Sequence, residues 1–178
     1  MRFWVVTFGV LLLSCIGCSK PDLQKAEFPI TTAPTVELAV ITCDETLWAP
    51  TYSRDRLKVF SPCEKEIGVV KFVELEYDGD LVIDIKPSTD RLLTSGNKDV
   101  DAAGCGPTGC LHIEVPCQGS INARVQPDAD GTCNSFMGAK IAPPLIGDII
   151  EVAGHWVADM RHGGWAEIHG AVVRVLFH

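Results

Sequence analysis

The chain has little positive charge. Its 15 Lys and Arg stand against 23 Asp and Glu, giving a net charge of −8. Phosphate backbones and anionic lipid surfaces are bound by clustered basic residues, so this balance argues against both as general partners. Long apolar runs are also lacking. The N-terminal run, residues 3–13, is too short to span a bilayer as a helix. No internal repeat is visible, which sets solenoids and propellers aside. Cys105-Gly-Pro-Thr-Gly-Cys110 has a ligand-like spacing, but no second close Cys or His pair completes a four-ligand zinc ribbon.

What the N-terminus does contain is an address. Arg2 supplies a minimal positive region, residues 3–13 an apolar core, and Ser14-Cys15-Ile16-Gly17-Cys18 a run of small residues and cysteines. Residues 1–17 read as a lipoprotein signal whose acylated cysteine becomes the mature N-terminus. Cys15 follows a Leu12-Leu13-Ser14 stretch of lipobox form. Cleavage before Cys18 removes Cys15 and leaves six further cysteines, which can all pair in an oxidising compartment. Parity therefore favours Cys18 as the lipidated residue, with Cys15 as the alternative. Two or three acyl chains anchor firmly. The expected location is the extracytoplasmic face of the cell envelope. Ser19, rather than Asp, follows the cysteine, so in a cell with two membranes the outer membrane is expected. Residues 18–35 hold three prolines and no sustained apolar period, and read as a flexible tether. Residues 36–178 form the domain. Loss of Arg2 with the signal takes the net charge from −8 to −9.

The remaining cysteines are 43, 63, 105, 110, 117 and 133. Six allow fifteen connectivities. Pairing between sequence neighbours gives Cys43–Cys63, Cys105–Cys110 and Cys117–Cys133. An oxidised cysteine is not a nucleophile, which removes thiol catalysis.

Hydrophobic periodicity is that of strands. Residues 36–42 form a short apolar stretch, read as an added edge strand, and residues 47–62 read as irregular. Residues 67–77 form a first barrel strand, with Gly68 marking a bulge or a close approach. Asp78-Gly79-Asp80 is a tight turn. Leu81, Ile83 and Ile85 then alternate with Val82, Asp84 and Lys86 until Pro87. Ser88-Thr89-Asp90 offers a cap for one or two helical turns. Residues 97–109 are a Gly-rich loop. Leu111, Ile113 and Val115 alternate with His112 and Glu114. Residues 118–144 carry no strong period, apart from a short helix expected near residues 133–137. Two long strands follow. In residues 148–160, Ile150, Val152, Gly154, Trp156 and Ala158 face one way and Glu151, His155 and Asp159 the other. The turn is Arg161-His162-Gly163-Gly164. On the return arm Trp165, Glu167 and His169 oppose Ala166, Ile168 and Val172. This is the order of an all-β, five-stranded OB-fold-like barrel with a long irregular or short-helical connection before strand 4, stapled by disulfides.

The chain resembles a group of exported bacterial and archaeal OB-fold domains of unassigned function. Asp78-Gly79-Asp80 with Asp84-Ile85-Lys86-Pro87 matches their turn and following strand. Gly147-Asp148, Val152, Gly154, Val157, Asp159, His162-Gly163, Trp165 and Glu167-Ile168-His169 match their closing hairpin, of form D-x-x-H-G-W-x-E-I-H-P. The resemblance covers about residues 56–175. Gly164 is an addition to that pattern, and Gly170 stands where the group has proline. The resemblance implies a fold and no activity.

The candidate ligand-binding residues are Asp159, His162, Trp165, Glu167 and His169 at one hairpin end, with Trp156 as a further apolar platform. The favoured role of Glu167 and His169 is structural: they bond each other or backbone groups while Trp165 plugs the barrel mouth. His112 and His155 read as exposed strand residues. No metal, cofactor or catalytic activity is expected. The general OB ligand face carries Val82, Asp84, Lys86, His112 and Glu114 and no aromatic side chain, so single-stranded nucleic acid, which needs stacking platforms and a basic groove, is not an expected ligand. The function expected is a lipid-anchored envelope binding or accessory module for an envelope protein, peptide or carbohydrate. The alternative is a metal-binding protein or metal-dependent envelope hydrolase using Asp159, His162, Glu167 and His169.

Overall fold

The structure is a computed structural model that describes residues 40–99, 104–120, 122, 133, 136 and 138–178. The signal, the tether and the helix expected near residues 133–137 lie outside the described residues, apart from isolated positions. Val40, Ile41 and Thr42 are not in a strand, so the described part of the expected edge strand is absent. Among the described residues no helix is long and apolar enough to cross a membrane.

Five strands carry the fold: β1 (Leu57–Leu75), β2 (Leu81–Pro87), β3 (Leu111–Val115), β4 (Ile149–Asp159) and β5 (Trp165–Phe177). They pair in the order β1-β2-β3-β5-β4, and β4 pairs back onto β1, so the ring of pairings closes. All pairs are antiparallel except β3 with β5. The first strand begins ten residues before the sequence reading put it, at Leu57 rather than residue 67. The reason lies at Pro62. A proline cannot donate to a ladder, and here it sits within the register shift between Ser61 and Glu64, so the strand bends around it instead of ending. With nineteen residues, β1 pairs with β4 through its first part and with β2 through its last.

The inward alternation is as expected on β2 and β3. Leu81, Ile83, Ile85, Leu111, Ile113 and Val115 join Val70, Ile150, Val152, Ala166 and Ile168 in one core. Gly68 marks a close approach: a Cβ there would lie 2.6 Å from the Lys86 carbonyl oxygen. The expected inward Val172 is displaced. Gly170 takes a positive φ of 63°, and the β4–β5 register shifts between Ala153 and His155. The extra β5 residue reverses the phase, so Ala171, Val173 and Val175 turn to the core instead.

The three disulfides are Cys43–Cys63, Cys105–Cys110 and Cys117–Cys133, the pairings expected from sequence proximity. Asn97, fully buried, ties the loop before β3 to β5. Its amide nitrogen donates to the Cys110 and Ala166 carbonyls at 2.9 and 2.8 Å, and its oxygen accepts from the Ala166 N–H. A short helix, α1 (Glu45–Trp48), precedes β1. Asp44 caps it by accepting from the Thr46 N–H at 2.9 Å, and Pro50 follows just beyond its end.

Candidate functional site

Side chains that point away from the core on β2, β3, β4 and β5 meet on one outer face. Parallel pairing sets His112 opposite Glu167 and Glu114 opposite His169. Antiparallel pairing adds Asp84 opposite His112, and His155 opposite His169. Such a face is ordinarily wet. Here it is covered by residues 41–57. Trp48 stacks on His155 at 4.2 Å between centroids and stands edge-on to His169 at 5.8 Å. Thr51 Oγ1 lies 3.3 Å from His169 Nδ1, and Arg56 pairs with Asp159 and reaches Glu114 at 3.8 Å. Under this segment, and with Trp165 against His112 and Glu167, Asp159, Glu167 and His169 are wholly buried, and His112, Glu114 and His155 expose only 5–7%. The expectation of His112 and His155 as exposed strand residues is thereby corrected. Alternation placed them outward correctly, but outward here means under the covering segment.

Each buried polar group has specific partners. His112 Nδ1 donates to Asp84 Oδ1 at 2.7 Å, while its Nε2 lies 3.5 Å from Glu114 Oε1. The Gly170 N–H donates to His169 Nδ1 at 3.1 Å, so the His169 proton sits on Nε2 and faces Glu114 Oε2. Trp165 Nε1 donates to Glu167 Oε1. Asp159 Oδ1 accepts from the N–H groups of Arg161 and His162, and its Oδ2 faces His162 Nδ1 at 2.9 Å. Glu167 Oε2 is different: like Asp159 Oδ2 and His169 Nε2 it is buried without a hydrogen-bond partner, but unlike them it faces no oppositely charged group within ion-pair distance among the described residues.

Burial and charge pull in opposite directions here. Burial acts against the imidazolium of His112, but its bonds to Asp84 and Glu114 win and hold its pKa well above the usual range. Burial likewise acts against an ionised Glu114, yet the charge of His169 and the hydrogen bond of His112 keep its pKa well below that of a free carboxyl. Glu167 lacks that degree of support. Burial first, and Glu114 second, push its pKa up.

The sequence-predicted residues divide. Asp159, His162 and Glu167 converge, with ligand atoms within 4.8 Å of one another. His162 sits at the mouth with its side chain 51% exposed. Trp165 joins the same face and lies over His112 at 5.3 Å, giving the ligand face an aromatic that the β2–β3 pattern did not show. Of the two expected arrangements, His169 does not pair with Glu167 but does bond the backbone, through the Gly170 N–H, and it is also held by Glu114 and Thr51. Trp156 belongs elsewhere. It packs on Phe60 at 4.6 Å, and its Nε1 donates to the Leu92 carbonyl.

Sequence reasoning missed Arg56, Thr51 and Trp48, which act through the cover, and the union of the β3 pair His112 and Glu114 with the hairpin. The available signal was the His-x-Glu alternation on β3 beside Asp84 on β2. A further grouping, Asp80 with Cys117 and Cys133, is closed by the disulfide. Comparisons with protein-family models, curated proteins and solved structures returned no match.

Proposed function

We propose that the chain is an exported, lipid-anchored binding module of the cell envelope, built as an OB-fold barrel and related to the exported domains whose hairpin pattern it carries. Five strands in OB order support the barrel reading. The observation that carries the function is the buried acid–histidine face. OB-folds take their ligands on the strand 2–3 face and adjoining loops. On that face this chain gathers four carboxylates and three histidines beneath Trp48, Thr51 and Arg56, where an inert exterior would be solvated. Its acidic balance, with Trp48 and Trp165 stacked on histidines of the face, favours a peptide, glycan or protein partner over nucleic acid.

Acylation and binding are tested separately. Metabolic labelling with a fatty-acid analogue should mark the wild type and Cys15→Ser but not Cys18→Ser, which should leave the membrane fraction. Label that survives Cys18→Ser and vanishes with Cys15→Ser overturns the assignment to Cys18, and an unlabelled, unanchored wild type overturns the lipoprotein reading. Muropeptides from digested peptidoglycan carry both glycan and peptide. They should raise the melting temperature of the wild type and not that of Glu167→Gln; equal shifts in both would place binding away from this face. A metal-dependent hydrolase is the second reading, favoured by the convergence of Asp159, His162 and Glu167. Chelator-sensitive cleavage of the muropeptides would move the assignment to it.

A further inference from the structure

We propose that this face holds one divalent transition-metal ion, bound by His112 and Glu114 of β3 and Glu167 of β5. The inference deepens the binding-module reading by naming a ligand class for the same face. One ligand atom from each of the three residues lies within 4.8 Å of the other two.

The partner pattern makes the case. Each residue has one atom held and another left to bind. Asp84 fixes His112 through Nδ1, and Nε2 faces Glu114 Oε1 at 3.5 Å, a contact that an ion binding both atoms would replace. His169 Nε2 engages Glu114 Oε2, and Trp165 Nε1 engages Glu167 Oε1. The atoms that can turn to an ion are His112 Nε2 and Glu114 Oε1, which face each other at 3.5 Å with Arg56 3.8 Å from the latter, and Glu167 Oε2. The last is buried and has no hydrogen-bond partner. A buried carboxylate oxygen without a partner costs free energy that native structures rarely leave uncompensated. A ligating histidine whose other nitrogen is fixed by a carboxylate is the usual outer-shell arrangement of metal sites, and here Asp84 supplies it.

Charge points the same way. Asp84, Glu114, Asp159 and Glu167 bring four carboxylates, and their described partners are Arg56 and the imidazoles of His112, His162 and His169. A divalent ion would take over from the His112 proton in balancing that charge. The donor set of one imidazole and two carboxylates suits zinc or manganese better than calcium or magnesium, which favour all-oxygen sites. Thiolate donors are excluded, because all six described cysteines are in disulfides. Bonds of about 2.0–2.2 Å put neighbouring ligand atoms roughly 3–3.5 Å apart, so binding needs a small side-chain closure.

The test uses full-length protein solubilised in detergent, stripped with chelator and desalted. Titration calorimetry with ZnCl2 and with MnCl2, and elemental analysis after desalting, should give one ion per chain. Glu167→Gln should weaken affinity by 100-fold or more, and Asp84→Asn, which removes only the support for His112, by about 10-fold. Glu74→Gln, on the exposed end of β1, should match the wild type. X-ray absorption of the zinc-loaded wild type needs no variant to fold: it should show one imidazole, oxygen donors and no sulfur. A wild type that retains neither ion, a Glu167→Gln variant that is folded and binds as tightly, or a zinc spectrum with sulfur or several imidazoles would each overturn the site. Muropeptide binding and membrane anchorage that persist in a protein without metal affinity would sink this inference and leave the module reading standing.

Discussion

Asp80 shows what burial does to one carboxylate. It ends the Asp78-Gly79-Asp80 turn, is 3% exposed, and accepts the Cys117 N–H at 2.7 Å. Burial first, then the neighbouring charges of Glu114 and Asp78, raise its pKa from 3.8 to about 8 against the pull of that N–H. A carboxyl whose pKa is raised by folding contributes full stability below its unfolded value and loses it as pH climbs to the folded value. Asp80 should therefore cost the fold stability as pH rises from about 4 to about 8, by at most about 1.4 kcal/mol per pH unit. Asp80→Asn keeps an oxygen for the Cys117 N–H and cannot ionise. Urea denaturation at pH 5 and pH 7.5 should show the variant gaining on the wild type at the higher pH; a gap that narrows or stays constant contradicts the assignment. The turn was legible from its Asp-Gly-Asp sequence. The shifted carboxyl was not, because its causes are burial and then a neighbour on β3, 34 positions away.

Among the elements, the covering segment makes the site what it is. The four-residue helix α1 has no buried residue of its own and would not persist in isolation. It is held by contact with β5 around Gly170 and by the Cys43–Cys63 bridge to β1. At Gly170 the positive φ of 63° excludes most side chains, and a Cβ would sit 3.0 Å from the Leu47 carbonyl. Gly170→Ala should thus destabilise by about 1–2 kcal/mol through backbone strain, and the crowding should push the helix off the face. Thermal melts and quenching of Trp48 by acrylamide check both; a variant with wild-type stability and unchanged quenching would show that the bulge does not seat the helix. Gly170 thus changes the phase of β5 and makes room for the cover. Periodicity alone predicted Val172 inward because a single-residue bulge has no signature except the glycine itself.

At the scale of the whole molecule, three disulfides staple a sheet of modest size. Closing a loop as long as that between Cys43 and Cys63, a separation of 20, is worth about 3 kcal/mol through the unfolded chain. Alkylation of unreduced protein should leave all six cysteines unmodified. Cys43→Ser with Cys63→Ser should lower stability by about that amount and speed amide exchange in residues 40–56 ahead of the strands. Equal exchange in all elements would mean that the bridge does not hold the cover separately.

The amino-acid sequence by itself determined the local events. Alternation specified which faces of β2 and β3 enter the core, because a strand side chain can point only two ways. Asp-Gly-Asp and Gly-Gly specified turns, through the positive φ that glycine tolerates. The cysteines allowed fifteen connectivities, and the structure carries the one that joins sequence neighbours. The tertiary structure decided everything that depends on distant partners. Only the parallel alignment of β3 with β5, across more than fifty residues, sets His112 beside Glu167 and Glu114 beside His169. The path of residues 41–57 over His169 and Glu114, with Trp165 over His112 and Glu167, covers them. A strand pattern states the face on which a side chain lies. Whether that face meets water, a neighbouring strand or a covering helix is settled by long-range packing, and the chemistry of a carboxylate changes with that environment.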